Sequence, residues 1–146
     1  MKASHGTYAL LLQTTKSKLV NVGRWGSINV EPGFYIYIGS AFGPGGVRAR
    51  VARHCRAGKA KHWHIDYLRE TATIESVWYS HSQTRLEHRW AGALANWSRS
   101  EPVEGFGCSD CNCVAHLFYF KQALTRAGFA KAVDCPVKAY SCEAIV

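Results

Sequence analysis

The segment from Phe34 to Gly46 leaves this chain few choices. Phe34–Ile38 is five consecutive aromatic or β-branched residues, the composition of a strand. Gly39-Ser-Ala-Phe-Gly-Pro-Gly-Gly46 follows it. Four glycines and a proline in eight residues end the strand and lead into a helix start. Alternation puts Tyr35 and Tyr37 on one face of that strand and Phe34, Ile36 and Ile38 on the other. Gly6–Gln13 reads the same way, with Tyr8, Leu10 and Leu12 opposite Thr7, Ala9, Leu11 and Gln13. Leu19–Val22 reads as its short hairpin partner, and Gly23–Gly33 as a glycine-rich loop with an edge strand. Helices are expected over about Val47–Arg56, from near His64, and over Gln83–Trp97, the longest. Leu86, Trp90, Ala93, Leu94 and Trp97 recur there at helical spacing. Thr73–Tyr79 and Leu117–Phe120 read as strands, Pro102–Asn112 as irregular, and Lys121–Ala127 as a helix before a loop around Pro136. The fold class is α+β with a small sheet, in one domain of 146 residues.

The longest apolar runs are short, Tyr8–Leu12 among them. A membrane-spanning helix needs about 18 apolar residues, so no membrane partner is expected. The N-terminal apolar run is also too short for a secretory signal. The chain carries 18 Lys and Arg against 10 Asp and Glu, a net charge of +8. That surplus points to a polyanionic partner, nucleic acid first. With no export signal, a reducing, cytoplasmic location is expected. Cys55, Cys135 and Cys142 are scattered, whereas Cys108, Cys111 and Cys113 are clustered. Together with His116 the cluster spells C-x2-C-x-C-x2-H, four potential zinc ligands. Buried thiols, or a reactive thiol beside His116, are the competing readings.

The stretch Val47–His64 has six basic residues and no acidic one. On a helix, Val47, Val51, His54 and Arg50 lie within about 100° of arc, facing the protein. Arg53 and Arg56 then point away, toward diffuse phosphate attraction. Arg48, Lys59, Lys61, His54 and His64 complete a nucleic-acid-binding set. A solvated helix face is the plainer alternative. Glu87 falls at the boundary of its helix stripe, where a carboxylate can hold a hard cation or pair with Arg85 or Arg89. Tyr8 and Tyr37 read as packing residues unless something else recruits them. Trp63 can stack on a base or pack in the core.

The order of these features resembles the GIY-YIG nuclease superfamily, and more closely a small stand-alone branch of it. Gly6-Thr7-Tyr8 and Tyr37-Ile38-Gly39 lie on two strands, followed by Val47-x-x-Arg50-x-x-x-His54 and then Glu87. The stretches Phe34–Ala41, Lys61-His-Trp-His-Ile-Asp-Tyr-Leu68 and Gly105-Phe-Gly-x-Ser-Asp-Cys-x-Cys-x-x-His-Leu-Phe118 carry the closer match. It covers about Gly6 to Phe120 and leaves 121–146 as a C-terminal extension. The resemblance implies a mainly antiparallel sheet flanked by helices. The 29-residue spacing of Tyr8 and Tyr37 implies a hairpin inserted between the motif strands. It also implies an endonuclease that hydrolyses phosphodiesters in DNA with Mg²⁺ or Mn²⁺, RNA being the alternative substrate. Tyr8 would activate water, Tyr37 would assist, Arg50 would clamp the phosphate and Glu87 would bind the metal. His62 would match a later basic or aromatic position. Asn112, Asp110 and His116 compete for the polar position that closes the motif set. Relatives of this branch can be attached to DNA glycosylases, so DNA-repair proteins are expected partners. The rival expectation is a non-catalytic basic nucleic-acid-binding module, stabilised by zinc.

Overall fold

The computed structural model describes residues 1–56, 58, 60–108 and 113–145, without the side chains of 144 and 145. β1 (Gly6–Thr14) is buried along nearly its whole length, because elements cover both of its faces. It is followed by β2 (Lys18–Val22), a 3-10 turn (Gly23–Trp25), β3 (Gly26–Val30) and β4 (Gly33–Ala41). Then come α1 (Gly46–Cys55), α2 (His64–Leu68), β5 (Thr73–Ser80) and α3 (Glu87–Ala95). β6 (Glu101–Pro102), β7 (Leu117–Phe120), α4 (Arg126–Val133), β8 (Lys138–Tyr140) and a 3-10 turn (Cys142–Ile145) end the order. Six strands form an antiparallel sheet in the order β6-β7-β4-β1-β5-β8. The expected α+β class is observed.

Period-2 alternation sorts the core into two layers. Tyr8, Leu10, Leu12 and Tyr35 pack against Val47 and Val51 of α1 and Ile65 and Leu68 of α2. Ala9, Leu11, Ile36 and Ile38 pack on the other face against Leu86, Trp90 and Leu94 of α3 and Phe129 of α4. α1 and α3 thus lie on opposite faces of the same two central strands.

Three expectations are corrected. β2 does not pair with β1: it pairs with β3 in a separate two-stranded sheet. The reason is that β1 already has β4 and β5 on its two edges. The hairpin lays Val20, Val22, Ile28 and Val30 on the α1–α2 face of the core, and it does lie between the two motif strands. The helix expected over Gln83–Trp97 is shorter, because the Leu86 N–H bonds the Thr7 hydroxyl at 3.2 Å and α3 begins there. The expected 121–127 helix begins at Arg126, capped by the Thr125 hydroxyl, which accepts from Gly128 N–H.

Two local devices place α1. Gly46 has φ +60°, and a Cβ there would strike the Ser4 carbonyl, which accepts the Val47 N–H at 3.0 Å. At the other end a disulfide joins Cys55 to Cys142, with their Cα atoms 5.5 Å apart. Two of the scattered cysteines in a chain expected to be reduced are therefore paired. The pairing follows from β8 lying on the free edge of β5, which brings the C-terminal turn under α1.

Candidate active site

A cavity of about 240 Å³ opens where the end of β4 meets the first turn of α3 and the face of α1. Tyr8 from β1, Tyr37 from β4, Arg50 from α1 and Glu87 from α3 all line it. These are four of the five residues expected to act in catalysis. A larger groove of about 510 Å³ runs between Ser98–Glu101 and Tyr119–Leu124. It contains none of the residues the sequence singles out.

Tyr8 is 1 % exposed and lies at the bottom of the cavity. Its hydroxyl is 2.7 Å from His54 Nε2. Burial first, and Tyr37 second, drive its pKa well above the ordinary phenol value, against the lowering effect of Arg50. Tyr8 is therefore a neutral phenol in the protein alone. The protein packed around Tyr37 raises its pKa too, with the Glu87 carboxylate as the next cause. The close approach of Tyr8 to β4 depends on Gly39. A Cβ at Gly39 would overlap the phenol end of Tyr8, so only glycine allows the ring to cross the neighbouring strand. Gly39→Ala should displace Tyr8 and destabilise the protein by about 1–3 kcal/mol. Denaturant unfolding reads the loss. Wild-type stability in this variant would show that Tyr8 is not pinned there.

Arg50 is held from two sides. Its Nη1 donates to the Ser40 carbonyl at 3.3 Å, and its guanidinium carbon lies 4.5 Å from the Trp63 ring centroid. The Arg53 guanidinium also lies over Trp63, at 4.2 Å. Trp63 is set in turn by Asp66, whose Oδ2 accepts the Trp63 and His62 N–H groups at 2.9 and 2.8 Å. Glu87 is partly buried on the first turn of α3. Its expected competitors are occupied elsewhere: Arg85 lies over Phe42, and Arg89 reaches Asp134. Beside Glu87 stand His116, 3.5 Å away, and His88, 4.0 Å away. Burial first, then His88, holds the His116 pKa below the usual imidazole value.

Several residues sit elsewhere than expected. His62 does not line the cavity: its N–H is captured by Asp66 and its exposed ring packs on Trp63 at 5.3 Å. Arg53 does not face solvent as a phosphate attractor. It forks onto Asp66 with bonds of 2.9 and 2.8 Å. His54 is fully buried against Tyr8. His64 accepts the Gly107 N–H at 3.1 Å and packs between Trp25 and Phe106, so it positions a cavity-wall residue. Lys61 pairs with Glu70. Arg48 and Arg56 are exposed. Lys59, Asp110, Cys111 and Asn112 lie outside the described residues.

Among the described residues of the cysteine cluster, Cys113 and His116 come together with His88, which the sequence reading passed over. Cys108 Sγ instead approaches the Phe106 carbonyl at 3.5 Å. An exposed histidine beside an acidic residue on a helix gave no signal. Asp66 was legible only within a matched stretch, not as the group that orders it.

No helix among the described residues is long and apolar enough to cross a membrane. No curated protein and no solved structure matches the chain significantly. The family model described as the domain of unknown function DUF123 matches residues 7–135, past the expected limit near Phe120, and the chain belongs to that family.

Proposed function

We propose that this protein is a divalent-metal-dependent endonuclease of the GIY-YIG kind that hydrolyses phosphodiester bonds in DNA. The observation that carries this reading is the convergence of Tyr8, Tyr37, Arg50 and Glu87, from four different elements, on one small cavity. An anchored guanidinium facing a carboxylate suits an anionic substrate that arrives with a cation.

The donor set fits a hard divalent ion. Glu87 offers one carboxylate at the cavity wall, and Mg²⁺ is commonly held by one or two carboxylates with water filling the rest. When bound, such an ion would neutralise phosphate charge and acidify water. Arg50, fixed by Ser40 and Trp63, holds the scissile phosphate. The Tyr8 hydroxyl orients the attacking water. Because burial keeps Tyr8 protonated, it cannot begin as a phenolate. With His54 as its Nδ1–H tautomer, Tyr8 accepts the proton of water as it passes its own to His54 Nε2, 2.7 Å away. The water oxygen bonds to phosphorus, one P–O ester bond breaks, and the leaving oxygen takes up a proton from solvent. His54 thereby moves from the binding surface to the proton path. The exposed Arg48 and Arg56 supply salt-sensitive attraction to the backbone. A cytoplasmic location and repair partners belong to the same proposal.

The test is a cleavage assay on labelled single-stranded, duplex, branched and nicked DNA, and RNA, with Mg²⁺, Mn²⁺ or EDTA. Metal-dependent cutting that weakens steeply with salt is expected. A folded protein that binds DNA under every condition and never cuts it would make this a binding module.

A further inference from the structure

We infer that His88, Cys113 and His116, with Glu87 beside them, form a site for a borderline transition metal, zinc, distinct in chemistry from a hard-ion site. The three ligand atoms all lie within 4.8 Å of one another. Tetrahedral ligand edges are about 3.5 Å at ordinary Zn–N and Zn–S distances, so the site closes by a contraction of no more than about 1.3 Å.

The fold brings these donors together from two directions. Cys113 and His116 precede β7 on one stretch of chain. The backbone of His116 is fixed on both sides: its N–H donates to the Phe106 carbonyl and its carbonyl accepts from Ile38, each at 2.9 Å. His88 comes from the first turn of α3, and its ring lies 6.0 Å from that of His116. The Glu87 carboxylate reaches to 3.5 Å from His116 Nδ1 and 4.0 Å from His88 Nε2. Glu87 thus borders the cluster without being one of its three donors, and water completes the fourth position.

The donor types decide the metal class. One thiolate and two imidazoles suit zinc, whereas Mg²⁺ and Mn²⁺ favour oxygen. Among the described residues the ligand set brings in His88, which the cysteine run of the sequence does not contain and which comes from another element. Zinc here would tie Cys113 and His116 to the first turn of α3. His88 and His116 both line the cavity. The inference stands without the nuclease reading, because its test reads metal and never cleavage.

The whole chain, stripped by chelator and dialysed against zinc, is analysed for bound metal. Near one zinc per chain is expected for the native protein and for Cys108→Ser, and near zero for Cys113→Ser and His88→Ala. Should a variant fail to fold, the native protein loaded with Co²⁺ decides. Thiolate-to-cobalt charge transfer with four-coordinate ligand-field bands is expected, together with protection of Cys113 from alkylation. A native protein that takes up no zinc, or a Cys113→Ser variant that keeps it, overturns the inference. So does a cobalt spectrum without the thiolate band.

Discussion

On the proposed mechanism, Arg50→Ala and Glu87→Gln are each expected to lower cleavage by about 100–1,000-fold while leaving the protein folded. Removing a charge-stabilising donor from a preorganised site lowers turnover by about 100–1,000-fold. The proposal gives Arg50 that role, and Trp63 and the Ser40 carbonyl already fix its direction. Glu87→Gln keeps the shape and removes the charge that would hold a hard cation. Stability should change little in either case. Glu87 is partly exposed, and the Arg50–Trp63 contact is worth about 0.5–1 kcal/mol. Single-turnover cleavage separates the two: the Arg50 loss persists at saturating Mg²⁺, whereas a residual Glu87→Gln rate rises with metal. Wild-type cutting by either variant removes the proposed mechanism.

The second large effect lies outside the cavity. Asp66→Ala is expected to destabilise the protein by about 3 kcal/mol, because it strips four hydrogen bonds from one buried carboxylate. Arg53 and two backbone N–H groups lose their acceptor together. Burial by itself would raise the Asp66 pKa. The Arg53 hydrogen bond, the Trp63 and His62 N–H groups and the Arg53 charge outweigh it and set the value at about 2. That lies below the unfolded value of about 3.9, so the stabilisation is complete above about pH 4 and fades as pH falls toward 2. At neutral pH it amounts to about 2 kcal/mol. Urea unfolding of wild type and Asp66→Asn across that window reads the effect directly. The variant's acid limb should be flatter. Parallel limbs would mean that Asp66 is not the group responsible.

Asp66 also shows which parts of the molecule were readable beforehand. Faces of strands follow from alternation alone, and both layers of the core come out as read, Tyr35 and Tyr37 on one side and Ile36 and Ile38 on the other. The arc that turned Arg50 and His54 inward follows from helix geometry. Glu87 was placed at a boundary by the same arithmetic. Contacts across loops have no such period. The Arg53–Asp66 fork spans 13 residues and reverses the outward direction that helix spacing gives Arg53. The meeting of His88 with His116 depends on how α3 docks against the end of β7, which no local pattern encodes. The β2–β3 pairing was missed for a different reason. A short strand next to a long one invites hairpin pairing, and only knowing that β4 and β5 take both edges of β1 removes that choice.

The six-stranded sheet ends in β6, two residues that include Pro102, and in β8, three residues that begin with Lys138. Proline offers no donor, and a charged side chain at a short rim discourages a visiting strand. The long, apolar strands that would template intermolecular pairing, β1 and β4, are walled in at the centre. This architecture keeps the long strands of one copy from joining those of its neighbours edge to edge.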